Sequence, residues 1–168
     1  MELDVHADWG RICDYVDKAM KAGIYVSLAT VDADGMPTVM PIGSLVLDTS
    51  EPTGFFLEKF PKSIAANASH NPNFCILAED TKLSHIIKEL RGRGGGLLGV
   101  KLFGTFGPRR AASAEEKARI KARLPLGKFV NLDKVLFAEG GEIRELTFSR
   151  AEAMSISVDE KAGTYQLG

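Results

Sequence analysis

Residues 24–78 constrain the fold more than any other stretch, because three β-like segments, a helix opening on Lys62-Ser63 and a fourth β-like segment follow one another. The order reads IYVSLATV, a DADGMP turn, TVMPIGSLVLD, GFFLEK, PKSIAANASHNP and FCILA. Ile24 to Val31 is rich in apolar and β-branched residues, and Asp32, Asp34, Gly35 and Pro37 then supply the backbone angles of a hairpin loop. Thr38 to Leu47 is the return strand. Pro41 within it has no N–H to donate, which calls for an edge position, a bulge or an interruption of pairing on one side. Gly54 to Lys59 forms a third strand, Pro61 stands where a first-turn proline starts the helix Lys62 to Ser69, and Asn71-Pro72 stops that helix.

The flanking segments are simpler. Trp9, Ile12, Cys13, Tyr15, Val16, Ala19 and Met20 recur at spacings of three and four over residues 8–22, as an amphipathic helix requires, and Gly23 is placed to end it in a left-handed conformation. A second such helix spans Thr81 to Leu90, RGRGGG reads as a loop, and Leu97 to Phe106 resumes as strand. Ser113 and Glu116 form a capping box for a helix to about Leu124, which Pro125 ends. Val135 to Ala138 and Ile143 to Phe148 read as strands joined by a tight Glu139-Gly140-Gly141-Glu142 hairpin, with a short final strand over Ala153 to Val158. The fold class that follows is mainly β with peripheral helices: an antiparallel β-barrel of six to seven strands, without the βαβ alternation of a parallel sheet.

A chain of 168 residues suits one domain and buries roughly two-thirds of its unfolded surface, so it needs no metal or disulfide to fold. Lys plus Arg total 21 against 22 Asp plus Glu, a balance that disfavours a nucleic-acid partner. No apolar run approaches a membrane span and no targeting segment is expected, so no membrane partner is either. Cys13 and Cys75 lie far apart in different elements and outside any CxxC or Cys/His cluster; a reducing, cytoplasmic compartment is the expectation.

The chemistry-bearing candidates cluster at the Lys62-Ser63 helix start. Unpaired N–H groups and the positive end of the helix dipole favour an anion there, both side chains add donors, and Lys59 sits just before them. Read locally, Ser63 merely caps the helix and the lysines are solvated. The order of the surrounding elements favours the anion, and a phosphate suits the corner. Arg91, Arg93, Arg109 and Arg110 flank the glycine loop and the end of the following strand, where guanidinium forks bind carboxylate or phosphate, or stand solvated. Arg109 and Arg110 are the better substrate-binding candidates, since a strand end holds position more rigidly than a glycine loop. Gly94 to Gly99 matches GxGxxG, but a helix precedes it and a strand follows, the reverse of a dinucleotide fingerprint. His6, His70 and His85 share no ligand spacing, so no metal site is expected. No Ser-His-Asp or Cys-His set can be assembled from spacing.

SLATVDADGMPTVMPIG, GFFLEK and KSIAANASHNPNFCILA together resemble the pyridoxamine 5'-phosphate oxidase-like, FMN-binding split-barrel family. The likeness covers about half the chain well, and is looser near Leu102 to Phe106. It implies a single FMN-binding split-barrel domain over residues 1–168 in which Lys62 and Ser63 hold the FMN phosphate. Met40, Pro41, Ile42 and Gly43 would offer backbone contacts along the isoalloxazine edge, and Leu57, Glu58 and Lys59 would line the ribityl chain. It also implies a homodimer with the flavin between subunits, and an FMN-dependent oxidoreductase acting with a small-molecule electron donor or acceptor. Its catalytic side chains are not identified. Split barrels that carry a deazaflavin or haem, and a non-catalytic flavin-binding or sensing dimer, are the alternatives. Met40 to Ser44 lacks the cations of the true vitamin B6 oxidases, and the tail ISVDEKAGTYQLG lacks their arginine and histidine pair, so vitamin B6 oxidation is not expected.

Overall fold

A computed structural model describes residues 2–59, 62–79, 97–124, 130–138, 140–159 and 164–167. In chain order its elements are β1 (Glu2–Leu3), α1 (Trp9–Gly23), β2 (Val26–Val31), β3 (Pro37–Ile42), β4 (Val46–Leu47), β5 (Thr53–Leu57), α2 (Lys62–His70), β6 (Asn73–Glu79), β7 (Leu97–Ala111), α3 (Ala114–Arg123), α4 (Leu132–Phe137), β8 (Glu142–Asp159) and β9 (Thr164–Leu167). The main path of the antiparallel sheet has seven strands, ordered β3-β2-β6-β7-β8-β5-β4, while β1 and β9 attach to β8. The expected helix over residues 81–90, the loop over 91–96, Phe60, Pro61 and Pro125 lie outside the described residues.

The single return strand expected from Thr38 to Leu47 is divided. Its first half pairs with β2 along Pro37 to Ile42, its second half pairs with β5 at Val46 and Leu47, and these partners sit at opposite ends of the path. One piece of chain thereby joins both ends of the sheet and closes it into a barrel. Pro41 is on the β3 half, which pairs on one side only, so its missing N–H costs no ladder bond.

Alternation along β2 and β3 puts Val26, Leu28 and Ile42 into the main core, where Trp9, Ile12 and Val16 of α1 meet Phe56, Phe74, Leu102 and Phe148. Aromatic rings run through this core, with Trp9 and Phe148 at 5.4 Å and Phe74 and Phe106 at 4.9 Å between centroids, close enough for favourable edge and tilted contacts. A second core lies outside the barrel end, where Ile120 of α3 and Phe137 of α4 cover Val46, Phe55, Leu57 and Ile143. Arg119 ties α3 down by donating to the Leu47 carbonyl at 3.0 Å and lying over the Phe55 ring. The capping box is formed as expected, with Ser113 Oγ accepting from the Glu116 N–H and the Glu116 carboxylate from the Ser113 N–H.

Two further expectations are corrected. Residues 135–138 are not strand: Asn131 caps a short helix by accepting from the Lys134 N–H at 3.1 Å, and Leu132 and Phe137 are its buried residues. The paired glycines turn this helix into β8, with φ of +99° at Gly140 and +70° at Gly141, and a Cβ on Gly141 would strike the Phe137 ring. At the end of α1 the left-handed residue is Ile24 (φ 72°), while Gly23 stays helical. A β-branched side chain in that region costs on the order of 1–3 kcal/mol. The expected strand over 153–158 is the far half of β8.

Both thiols are free and half-buried, and burial raises each above its ordinary pKa, Cys13 to about 11, so neither is an activated nucleophile. Among the described residues no helix is long and apolar enough to cross a membrane, and no cluster of three or more His, Cys, Asp or Glu side chains is placed to hold a metal ion.

Gly104 sits at a register shift between β7 and β8, where a Cβ would run into the Thr147 carbonyl and stand 2.9 Å from the Phe74 ring, whereas Gly10 on α1 has open space around it. Gly104→Ala is expected to lose about 3 kcal/mol through overpacking. Gly10→Ala is expected to gain up to about 1 kcal/mol from helix propensity. Midpoints of urea unfolding measure both.

Candidate functional site

Five positions along the chain separate Leu57 at the barrel seam from Lys62 at the start of α2. At the seam the Leu57 N–H donates to Ser44 Oγ at 3.0 Å, bringing the ends of β3 and β5 together. Beyond β5 the chain passes Glu58 and Lys59 to reach Lys62, the first residue of α2. The helix is docked by Ile64, fully buried in the main core, and by Asn67, whose amide donates to Thr30 Oγ1 at 2.9 Å and to Thr38 Oγ1 at 3.1 Å. The two threonine hydroxyls also bond each other across the β2–β3 pair at 2.8 Å. Buried polar groups so satisfied fix one helix orientation, because a shift would strand at least one of them in the core. Asn67 thus aims the N-terminus of α2.

At that N-terminus Lys62 and Ser63 are both exposed, and no carboxylate pairs with Lys62 among the described residues. The first-turn N–H groups have no helical acceptor, so one ammonium, one hydroxyl and several amide donors are available to an anion. The neighbouring charges are engaged. Lys59 donates its ammonium to the Val135 carbonyl. Glu58 is 4% exposed and accepts two bonds from Arg144, at 2.6 Å (Nε) and 3.1 Å (Nη2), with Arg109 Nε at 3.6 Å. Arg144 also donates to the Gly107 carbonyl at 3.2 Å. Arg109 is further paired with Glu142, and Arg110 is clasped by Glu116, at 2.7 and 2.9 Å, and by Glu145 at 2.5 Å.

The sequence-derived candidates therefore occupy distinct settings. Leu57 is buried in the second core and the Glu58 carboxylate is committed to Arg144, so at these positions the side chains serve the protein interior. Met40 packs against the main core, Ile42 is buried within it, Pro41 is exposed and Gly43 is half-buried. Arg109 and Arg110 occupy adjoining positions at the end of β7, both held by carboxylates. Sequence reasoning missed Arg144, Ser44, Asn67 and Thr30. Arg144 did carry a signal, since it falls in phase with the inward Leu146 and Phe148 along β8, just as Glu58 falls in phase with the inward Phe56 along β5. A cation and an anion at inward positions of paired strands point to a buried ion pair.

No protein-family model matches the chain, and no curated protein matches it in sequence. Solved structures match it over most of their length. An FMN-binding protein from Syntrophomonas wolfei is 14% identical with a TM-score of 0.58, the match covering 91% of this chain and 96% of that one. A candidate pyridoxamine 5'-phosphate oxidase from Lactobacillus delbrueckii is 23% identical with a TM-score of 0.52, covering 83% and 91%. HutZ, the haem storage protein from Vibrio cholerae, is 14% identical with a TM-score of 0.55, covering 82% and 91%. At these identities the likeness is one of fold: the chain has the split-barrel fold of the pyridoxamine 5'-phosphate oxidase-like proteins.

Two outcomes test the electrostatics. Arg144→Met leaves the Glu58 carboxylate buried beside the more distant Arg109, and about 3–5 kcal/mol of stability is expected to be lost; adding Glu58→Gln should restore most of it. Denaturant titration of the single and double variants reads both values. Arg110 holds the Glu116 carboxyl down to about 2 from an ordinary 4.5. Its contribution is therefore present above pH 4.5 and lost as the pH falls toward 2. After allowance for solvent screening, Glu116→Gln is expected to cost about 1 kcal/mol at pH 6. The gap to wild type should close near pH 2 in the same unfolding assay.

Proposed function

We propose that this split barrel is an FMN-dependent oxidoreductase that works as a homodimer with a small-molecule electron donor and acceptor. The observation that carries the reading is the Lys62-Ser63 corner: Lys62 stands exposed with no carboxylate paired to it among the described residues, while Arg109, Arg110 and Arg144 are all paired with one. An ammonium, a hydroxyl and helix N-terminal amides suit the terminal phosphate of FMN. The FMN-binding likeness from Syntrophomonas wolfei adds support, since its fold is the same.

In this reading Lys62 and Ser63 hold the phosphate, and Asn67, through Thr30 and Thr38, keeps the helix start aimed at it. Pro41 carries no N–H and the alternation of β3 turns the Met40 and Ile42 N–H groups toward β2, so of these positions Gly43 is the one whose amide is placed to meet the ring edge. Bound FMN supplies the redox chemistry, passing electrons or a hydride between donor and acceptor. The chain orients the cofactor and limits the access of water and oxygen; no side-chain acid or base is required. The Glu58–Arg144 pair braces the strand end from which the corner departs.

Purified protein is expected to carry flavin absorbance. A haem Soret band, which would align it with the Vibrio cholerae storage protein, or a deazaflavin spectrum would replace FMN in this reading. Lys62→Ala combined with Ser63→Ala should weaken FMN by about 2–5 kcal/mol and leave riboflavin, which has no phosphate, nearly unchanged. Equal losses for both ligands would move the phosphate site elsewhere. Rapid-mixing reduction by a nicotinamide, with and without candidate acceptors, separates an enzyme from a flavin-storing or flavin-sensing dimer.

A further inference from the structure

We draw no further inference here: the strongest candidate, the outward sheet face on which Val39, Ala29, Cys75 and Phe103 stand in one cross-strand row of β3, β2, β6 and β7, is an apolar face and nothing in the structure shows what covers it.

Discussion

The division of one strand between the two ends of the sheet is the constraint on which the rest of this structure depends. Residues 37–42 pair with β2 and residues 46–47 with β5, so the three residues between them carry the chain from one end of the seven-strand path to the other. Closure leaves β3 with a free side, and a proline is tolerated at position 41 for that reason. It also puts Gly43 and Ser44 where the α1–β2 turn and the end of β5 converge. The Ser44–Leu57 bond at the seam and the close approach of Gly43 to the Ile24 carbonyl are direct products of this route. The candidate corner at Lys62 follows this seam in the chain, five positions beyond Leu57.

Around the seam, charge is sorted with care. Glu58 and Arg144 occupy inward positions on neighbouring strands, and each would be costly to bury alone. As a bidentate pair, with Gly107 taking a further donor and Arg109 nearby, they satisfy one another and close the barrel end. Arg109 and Arg110 are then bound by Glu142, Glu116 and Glu145, which braces β7, β8 and α3 as one unit. Electrostatic self-satisfaction of this kind leaves Lys62 as the contrast: an exposed ammonium at a helix start that the threonine and asparagine network holds in place.

Much of this was legible from residue order. The α1 periodicity, the β2–β3 hairpin, the capping box at Ser113 and the helix from Lys62 to Asn71-Pro72 rest on local physics: side-chain period, turn chemistry and unpaired helix donors. The errors came where local signals are degenerate. Val135 to Ala138 is short and apolar enough for strand, and the capping Asn131 and the ring of Phe137 against Gly141 decided for helix. At the end of α1 a glycine stood ready, yet packing against Gly43 put the left-handed turn on Ile24.

By itself the sequence determined most of the elements, their antiparallel mainly-β character, and the gathering of donors at Lys62-Ser63, because each depends on residues a few positions apart. Only the tertiary structure decided which charges remain available. Arg109 and Arg110 looked like substrate forks until strands β7 and β8 and helix α3 brought Glu142, Glu145 and Glu116 beside them. Glu58 looked like a groove residue until Arg144, 86 positions away, turned its carboxylate inward. Coulomb and hydrogen-bond energies fall off with distance in space, and distance in space between residues far apart in the chain is set by strand pairing, which no local pattern encodes.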